Sequence, residues 1–437
     1  MGYTIIGNCI AAVGAVEGIR RHDRSTPVTI ISKEPYPAYG RPLIANYLKG
    51  KISEDELALR PPDFYERNRV QLILGHPASH LRPKESIVEV EDGEVVPYQQ
   101  LLVATGGTPI LPTIPGLTGP DVYSFNTLDD AKKLRQAASR LRQMLVIGGG
   151  LIGLKAAESL HDLGIQVTIV ELADRILSIA FDQTAGRIIA DRLQELGIQI
   201  VTGTTAEEVL RHRDQVISGL RLKDGTILPC EGVVVAIGVK PEKTLVEGTG
   251  IQAQRGILVN EFMETNITGV YAAGDVAEAK DWHFTEWRVV PIWPNAYRQG
   301  MVAGRNMTGE RISFSGSIPM NSIAFYGIPT ISVGVTNPPE EGGYEILMNL
   351  KEDEKAYRKL VLKDGMLVGA VLIGSIERAG ILTGLIRDKR QVEPYKKVLL
   401  NEDLSYLDLP WKLRKENLGL PNDEVPFGVR VEETQKP

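Results

Sequence analysis

Two loops in this chain have the residue spacing of phosphate-binding loops. The second loop follows an apolar run and reads G-x-G-x-x-G between Gly148 and Gly153. The first glycine of such a loop permits a tight turn, the second lets the backbone approach a pyrophosphate, and the third lets the next helix pack closely. The N-terminus of that helix supplies amide donors to the phosphates. The residues predicted to bind a dinucleotide here are Gly148, Gly150, Leu151, Ile152 and Gly153.

An acidic residue beyond this loop indicates which coenzyme it binds. Apolar runs predict a strand at 144–147, a helix at 151–163 and a second strand at 166–170. Glu171 closes that second strand, where a carboxylate can accept hydrogen bonds from the adenosine ribose. NADH is therefore favoured over NADPH, although Arg175 lies close enough to leave NADPH open.

The first loop is a degraded copy of the same pattern. Gly7, Cys9 and Ala12 occupy the three glycine positions, between predicted elements at 3–6, 11–22 and 28–31. The side chain of Cys9 must point away from any phosphate, whereas Ala12 keeps the small size that helix packing requires. The acid after the second strand is displaced to Glu34, which follows Ser32. Two dinucleotides bound to one protein usually exchange a hydride.

Composition limits the class of protein that carries these loops. A chain of 437 residues can form two or three domains, and its net charge of -6 argues against nucleic acid as a partner. No stretch approaches the ~20 apolar residues of a membrane helix. Cys9 and Cys230 are far apart and have no metal-ligand spacing, so we expect no disulfide framework and no metal site. A cytoplasmic enzyme fits these features.

The C-terminal part of the chain has a different pattern. Short apolar runs predict strands at 318–325, 330–335, 344–350, 358–362 and 367–373, followed by a helix at 376–387. An antiparallel sheet with flanking helices is an α+β domain. The last ~45 residues predict a helical extension. With the two βαβ units before it, the chain is predicted to be an α/β protein with a C-terminal α+β domain.

Three downstream segments resemble one protein family. They are the strand end Ala104-Thr105-Gly106, the strand that runs into Gly238, and the strand that ends in Gly274-Asp275. Together with the two loops, they are similar to the FAD-dependent pyridine nucleotide-disulfide oxidoreductase superfamily over roughly residues 1–310.

The resemblance implies an NAD domain inserted in an FAD domain, both Rossmann-like. Its boundaries would be 1–111 and 239–315 for the FAD domain, 112–238 for the NAD(H) domain, and 316–437 for a C-terminal interface domain that can form a homodimer. In the family, the residue matching Asp275 holds the flavin ribitol, and the residue matching Ala78 offers its backbone to the adenine. The implied FAD ligands are Gly7, Cys9, Ala12, Ser32, Glu34, Arg41, Pro42, Ala78, Ala104, Thr105, Gly106, Gly238, Gly274, Asp275, Pro294 and Ala296.

The loop at 37–43 lacks the cysteines on which disulfide reductases of this superfamily depend. A thiolate relay needs a thiolate, so electrons are expected to pass from the flavin directly to an acceptor. The stretch from Tyr39 to Leu43 resembles rubredoxin reductases and the flavin part of assimilatory nitrite reductases. In those proteins a matching cation lies beside the isoalloxazine. Arg41 is therefore a catalytic candidate that would stabilise negative charge on reduced flavin; the alternative is a surface arginine before a turn proline.

Lys155 departs from the family pattern, because many relatives have glutamate at this position. With Arg41, it would make the flavin pocket electropositive and favour an acidic partner protein. The alternative is that Glu158, one helical turn further on, simply pairs with it. Three tryptophans lie between 282 and 293. Trp282 and Trp287 would either line the acceptor side or serve in packing.

These observations predict an NADH-dependent FAD reductase. Hydride would pass from NADH to FAD, and electrons would then pass to an iron–sulfur protein of the ferredoxin or rubredoxin kind, or in the reverse direction. One alternative is a peroxide-forming NADH oxidase, since reduced flavin without a thiol partner can react with oxygen. Another is a slow-turnover flavoprotein that serves as a nucleotide sensor or assembly subunit.

Overall fold

The structure is a computed structural model, and it describes residues 2–283, 286–411 and 413–414. The chain forms two compact units, Met1–Ile328 and Pro329–Pro437. The division of the first unit into FAD and NAD(H) parts at the predicted boundaries stays a prediction.

Short strands and a few helices build the first unit. Its strands are β1 (Gly2–Ile6), β2 (Val28–Ser32), β3 (Val70–Leu74), β4 (Ala78–Arg82), β5 (Ile87–Val90), β6 (Val95–Val103), β7 (Gly107–Pro109), β8 (Val122–Tyr123), β9 (Gln143–Ile147), β10 (Gln166–Glu171), β11 (Gln199–Thr202), β12 (Ala206–Arg211), β13 (Ile217–Leu222), β14 (Ile227–Leu228), β15 (Gly232–Val235), β16 (Val239–Pro241), β17 (Ile257–Leu258), β18 (Val270–Ala272), β19 (Ala277–Lys280), β20 (Trp287–Arg288) and β21 (Met320–Phe325). Its α-helices are α1 (Ile10–His22), α2 (Ile44–Leu48), α3 (Phe64–Arg67), α4 (Leu128–Ala138), α5 (Leu151–Asp162), α6 (Gln183–Glu195) and α7 (Trp293–Met307).

The largest sheet has the order β3-β2-β1-β6-β5-β4, and β18 pairs with β6. Strands β1, β2, β3, β6 and β18 pair in parallel. Their apolar side chains are buried, for example Ile5, Ile30 and Leu102, as expected for a parallel sheet covered on both faces. Because β1, β6 and β18 run in the same direction, the loops that follow them meet at one edge of the sheet.

A second parallel sheet has the order β11-β10-β9-β15-β8. The complete glycine loop follows β9, and Gly238 comes shortly after the neighbouring strand β15. A smaller antiparallel sheet, β12-β13-β14, continues this part of the chain. These parallel sheets are typical of FAD- and NAD-binding Rossmann domains, which confirms the predicted fold class.

Glycines on α1 and α7 allow the backbones of these two helices to come into direct contact. A Cβ atom added to Gly14, Gly18, Gly300 or Gly304 would overlap the main chain of the opposite helix. Glycine inside a helix costs about 1 kcal/mol relative to alanine, so its use on both helices indicates that the close approach matters. The approach fixes the last helix of the first unit against its first helix.

The second unit is an antiparallel sheet with one helix. Its elements are β22 (Ile328–Gly334), β23 (Tyr344–Lys351), β24 (Ala356–Lys363), β25 (Met366–Ile373) and α8 (Ala379–Arg387). These four strands have the order β22-β25-β24-β23, which confirms the predicted C-terminal α+β domain. On the outer strand β23, Ile346, Met348 and Leu350 alternate along one face and are exposed.

Beyond α8, the chain forms short 3-10 turns at Glu393–Tyr395, Val398–Leu400 and Tyr406–Asp408. The rest of the predicted helical extension, residues 415–437, lies outside the described residues. Within the described ranges, no helix is long and apolar enough to cross a membrane. The same ranges contain no group of histidine, cysteine and acidic side chains arranged to hold a metal ion.

Candidate functional site

The first glycine loop lies against the strand end that follows β6. Gly7 has a φ of +105°, and a Cβ atom there would overlap the backbone of Ala104. The Gly7 N–H donates to the carbonyl of Ile31 over 2.8 Å, and the Ala104 N–H donates to the carbonyl of Ile6 over 2.8 Å. The Thr105 hydroxyl donates to the carbonyl of Glu242 over 2.6 Å. Predicted ligands from distant parts of the chain are thus brought together.

The loop after β18 reaches the same place. Gly274 has a φ of +84°, and a Cβ atom there would lie 3.3 Å from the Cβ of Ala11 and 3.6 Å from that of Ala296. The Gly274 N–H donates to Gln299 Oε1 over 2.8 Å. Sequence reasoning missed Gln299, which is buried in α7 and belongs to no recognised motif. Burial raises the pKa of the Asp275 carboxyl, and Arg41 acts in the opposite direction.

Arg41 is held by specific partners. Its Nη1 donates to the carbonyl of Asn126 over 2.8 Å, and its Nη2 pairs with the Glu34 carboxylate. The Tyr39 hydroxyl donates to the other oxygen of Glu34 over 2.5 Å. Burial works against the charge on Arg41, but Cys9, Tyr39 and Glu34 together raise the pKa of its guanidinium. The role of Arg41 beside a flavin stays a prediction; its side chain is 29% exposed and is held by Glu34 and Asn126.

The other predicted FAD ligands lie on several different elements of the first unit. Ser32 ends β2, and its hydroxyl donates to the carbonyl of Glu34 over 3.1 Å. Pro42 belongs to a one-turn 3-10 helix, Arg41–Leu43, that leads directly into α2. Ala78 begins β4, Ala12 is buried in α1, and Pro294 lies in the first turn of α7. Gly106 has a φ of +72°, and nothing lies within 4 Å of a Cβ built on it.

The second glycine loop has the geometry of a pyrophosphate cradle. Gly148 has a φ of +109°, and a Cβ atom on Gly148 or Gly153 would overlap neighbouring backbone. A Cβ on Gly150, by contrast, would meet nothing within 4 Å. Gly150 caps the N-terminus of α5, so open space lies in front of the first amides of that helix. Leu151 and Ile152 begin the helix, and Ile152 is exposed. The residues present therefore fit a dinucleotide phosphate.

Glu171 closes the opposite side of this cradle. One carboxylate oxygen accepts from the Gly149 N–H over 2.5 Å, and the other accepts from the Ala173 N–H over 2.7 Å. The sequence predicted only a ribose contact for Glu171, and that contact stays a prediction. The carboxylate also braces the glycine loop itself. Gly238, with a φ of +125°, accepts a backbone hydrogen bond of 3.0 Å from the Ile110 N–H.

Lys155 is engaged within the protein. Its Nζ pairs with the Glu158 carboxylate and donates to the carbonyl of Ala324 over 3.0 Å. Lys49 Nζ lies 3.2 Å from Glu158 and 3.1 Å from Asp162. The pairing of Lys155 with Glu158, one of the two interpretations of the sequence, is confirmed. Its effect on a flavin stays a prediction. Sequence reasoning missed Lys49, because no local pattern connects it to α5.

Both cysteines are free. Cys9 is the N-cap residue of α1 and lies beside Arg41. Cys230 is buried, and this burial raises the pKa of its thiol to about 12. A buried thiol of that kind is protonated at neutral pH and is a poor nucleophile. A redox-active cysteine pair is therefore absent from the chain.

Aromatic side chains near the start of α7 differ in exposure. Trp282 is buried and stacks on His283 with ring centroids 5.8 Å apart. Trp287 is 43% exposed, and its indole N–H donates to the carbonyl of Val259 over 2.5 Å. Trp293 is 36% exposed. Trp282 therefore packs in the protein interior, whereas Trp287 and Trp293 keep part of their indole surface exposed.

Two dinucleotide cradles on adjoining Rossmann sheets define an oxidoreductase that binds FAD and a nicotinamide coenzyme. Residues 1–300 match the family described as pyridine nucleotide-disulphide oxidoreductase, and residues 319–390 match the rubredoxin NAD+ reductase C-terminal domain. The chain belongs to the pyridine nucleotide-disulphide oxidoreductase family, and the predicted cofactors FAD and NAD(H) are confirmed as those of the family.

Several relatives cover most of the chain. The NADH-dependent phenylglyoxylate dehydrogenase subunit epsilon of Aromatoleum evansii is 34% identical over 399 residues, which are 90% of this chain and 93% of the relative. The NADH-rubredoxin oxidoreductase of Clostridium acetobutylicum is 30% identical and covers 80% of this chain and 85% of its own. The crystal structure of a ferredoxin reductase from Rhodopseudomonas palustris has a TM-score of 0.80 at 26% identity, and it covers 86% of this chain and 91% of its own. The protein is an NAD(P)H-dependent flavoprotein reductase related to ferredoxin and rubredoxin reductases.

Proposed function

We propose that the protein transfers electrons from NADH through FAD to an iron–sulfur protein of the ferredoxin or rubredoxin kind. The observation that carries this proposal is the combination of two dinucleotide cradles with the absence of a cysteine pair. When bound, FAD accepts a hydride from NADH and releases electrons one at a time. Without a thiol relay, those electrons leave for an external acceptor.

Different residues are proposed to bind NADH and FAD. The loop at Gly148–Gly153 and the N-terminus of α5 bind the NADH pyrophosphate, and Glu171 accepts hydrogen bonds from the ribose. The loop at Gly7, the strand end at Thr105 and the Asp275 carboxylate bind FAD. Arg41 supplies positive charge at the flavin end of that site.

Relatives support an iron–sulfur acceptor. The Clostridium acetobutylicum relative is an NADH-rubredoxin oxidoreductase, and the structure from Rhodopseudomonas palustris is a ferredoxin reductase. The exposed indoles of Trp287 and Trp293 offer an aromatic surface for such a partner, because tryptophan is enriched in protein interfaces.

Anaerobic titration with NADH, followed by mixing with a panel of ferredoxins and rubredoxins, tests the proposal. We expect one equivalent of NADH to bleach the flavin absorbance and one class of iron–sulfur protein to reoxidise it rapidly. Oxygen consumption that outpaces every protein acceptor would indicate the peroxide-forming oxidase instead. Fast bleaching with slow reoxidation by all acceptors would indicate the nucleotide sensor.

A second candidate places the protein in a larger enzyme. The Aromatoleum evansii relative is a subunit of an NADH-dependent dehydrogenase, and it matches this chain over 93% of its own length. In that case a partner subunit would be the electron donor, and NAD+ would be the final acceptor. Copurification of the protein with untagged partners from its native cells distinguishes the two. A stable complex that reduces NAD+ favours the subunit.

A further inference from the structure

A compact group of buried charges joins three separate segments of the first unit. We call Lys49, Lys155, Glu158 and Asp162 the Lys49–Glu158 cluster. Lys49 comes directly after α2, and the other three residues lie on α5. Strand β21 supplies the third segment, since the carbonyl of Ala324 near its end accepts from Lys155 Nζ over 3.0 Å.

Lys49 and Glu158 form the buried centre of the cluster, whereas the side chains of Lys155 and Asp162 are 22% and 26% exposed. The side chain of Lys49 is 4% exposed and that of Glu158 is 8% exposed. Each cation has an acidic partner, since Lys49 lies between Glu158 and Asp162 and Lys155 pairs with Glu158. Buried ion pairs of this kind add little net stability, because desolvation offsets their attraction. Loss of one partner, however, leaves an uncompensated buried charge, so the pairing holds the segments in the one arrangement that keeps each charge compensated.

Further hydrogen bonds lock the same segments together. The Ser159 hydroxyl donates to the carbonyl of Lys155 over 2.6 Å and lies 3.3 Å from the carbonyl of Ala45, a second point of contact between α5 and α2. The Tyr326 N–H donates to Glu158 Oε1 over 3.3 Å, and its hydroxyl donates to the Glu158 carbonyl over 3.2 Å. Tyr326 holds a φ of +43°, a left-handed conformation that costs a residue with a side chain. These contacts make Glu158 the centre of the junction.

The junction lies between the two halves of the proposed reaction site. Helix α5 begins at the loop that would bind the NADH pyrophosphate, and Glu158 lies two turns along it. Helix α2 continues directly from the turn that carries Arg41. Any shift of α5 against α2 therefore moves the coenzyme cradle relative to the Arg41 side of the site.

We propose that Lys49 and Glu158 are positioning residues for hydride transfer. Through α5 they hold the nicotinamide coenzyme in register with the flavin, and neither residue needs to contact a cofactor. This inference rests on the proposed function, of which it concerns only the first half-reaction. A misplacement of about 1 Å in such a site can cost about 100-fold in rate.

Lys49→Met and Glu158→Gln test the proposal in the full-length, FAD-bound protein. Stopped-flow mixing with NADH gives both the rate constant of flavin reduction and the dissociation constant of NADH. We expect the rate constant to fall by about tenfold or more and the dissociation constant to change by less than about threefold. Hydrogen–deuterium exchange of the α5 amides, measured without NADH, should increase in both variants.

Two further variants separate positioning from general stability. Glu195→Gln removes an exposed pair with Arg192 on α6, 3.2 Å apart, and should leave flavin reduction unchanged. Lys49→Arg retains the charge and should recover most of the rate. The double variant Lys49→Met with Glu158→Gln should be much less than additive in its effect on the reduction rate.

Unchanged reduction rates in Lys49→Met and Glu158→Gln, together with a lowered melting temperature, would overturn the proposal and leave the cluster with a structural role. The first half-reaction does not involve the acceptor, so failure to find an acceptor would count only against the proposed function. If NADH failed to reduce the wild-type flavin, the proposed function would fail. In that case, unaltered hydrogen–deuterium exchange of the α5 amides in the variants would independently show that Lys49 and Glu158 do not hold α5 in place.

Discussion

Charges in the candidate site are paired inside the protein. Arg41 pairs with Glu34, and Lys155 pairs with Glu158, so each of these two cations is partly compensated by a carboxylate. A partly compensated cation still makes the local potential more positive than a neutral side chain would. The sequence predicts two cations near the flavin, and the contacts decide how strongly each of them acts.

Arg41→Ala should lower the reduction potential of the bound flavin. Loss of a cation in a partly buried site removes about 1–3 kcal/mol of stabilisation from the reduced anion. For a two-electron couple, about 30 mV corresponds to about 1.4 kcal/mol, so we expect a decrease of about 20–60 mV. Glu34→Gln removes the compensating carboxylate and should change the potential in the opposite direction. Spectroelectrochemical titration measures both, and equal potentials in all three proteins would make Arg41 a structural residue.

Glu171 sets the expected choice of coenzyme. A carboxylate that binds the ribose repels a 2′-phosphate, so NADH should exceed NADPH in kcat/KM by about tenfold, or about 1.4 kcal/mol. Glu171→Ala should narrow this preference. Because Glu171 also accepts from Gly149 and Ala173, the variant should bind both coenzymes more weakly. Steady-state kinetics with NADH and NADPH measures this preference. Comparable kcat/KM values of the wild-type protein for the two coenzymes would contradict the prediction.

The raised pKa of Asp275 predicts how the free energy of unfolding of the FAD-free chain changes with pH. Burial raises the pKa of this carboxyl in the folded state, so the folded chain binds its proton more tightly than the unfolded chain does. Stability contributed by the protonated group is therefore lost as the pH rises from about 4 through the folded-state pKa. Asp275→Asn should make the FAD-free chain more stable than wild type at about pH 8 and equally stable in acid.

Chemical unfolding of both FAD-free proteins across that pH range checks the sign. The same variant should bind FAD more weakly, since the family resemblance assigns the flavin ribitol to this carboxylate. A variant that lost stability at high pH would show that Asp275 contributes favourable contacts even without the cofactor.

At the level of elements, apolar runs were sufficient to predict the strands and helices around both loops, with ends that differ by no more than one residue; in the C-terminal domain the ends differ by up to three. Strands such as β7, β16, β17 and β20 were not predicted, because two or three residues cannot display a periodicity. Longer elements away from the motifs, among them β12, β13, α4 and α6, were not predicted either. The function of the glycine loops could be predicted because it depends on residues that are close together in the sequence. The contact between Lys49 and Glu158 could not be predicted, because only tertiary packing brings the end of α2 close to α5.

Gly300→Ala should disrupt the contact between α1 and α7. The added methyl group would overlap the backbone of Ala11, so the helices must separate. Overpacking of this kind costs about 1–3 kcal/mol, and FAD content should fall because Gly274 and Asp275 depend on α7. Gly384→Ala in α8 is the matched control, since nothing lies within 4 Å of its Cβ position. That change should stabilise the protein by up to about 1 kcal/mol.

Urea unfolding and the visible flavin spectrum of purified protein measure both effects. Equal stability of Gly300→Ala and wild type would mean that the two helices tolerate a wider separation.

At the level of the whole molecule, the edge strand β23 predicts self-association. Its exposed Ile346, Met348 and Leu350 form an apolar row on an outer strand, a feature that soluble proteins usually avoid. Antiparallel pairing of two copies about Met348 would place Glu345 opposite Lys351 of the second copy and Ile346 opposite Leu350. The pairing would match opposite charges and apolar side chains across the two copies, although Glu345 and Lys351 also pair with Lys396 and Glu402 of their own chain.

Met348→Lys should shift the protein toward monomers in sedimentation velocity experiments, because it places like charges at the centre of the pair. Glu345→Lys should weaken the dimer, and the exchange Glu345→Lys with Lys351→Glu should restore it. A wild-type protein that stays monomeric at about 100 µM, far above ordinary weak dimer affinities, would contradict this arrangement.

The contact between α1 and α7 also determines the order in which a newly made chain can fold. Helix α1 leaves the ribosome early, but its partner is complete only at Met307. About 285 residues separate the ends of the two helices, which corresponds to about 15–60 s of synthesis. The sheet β11-β10-β9-β15-β8 is finished long before then, at Val235. The sheet that carries the complete glycine loop can therefore form during translation, whereas α1 must wait for α7, and we expect FAD to bind only after that.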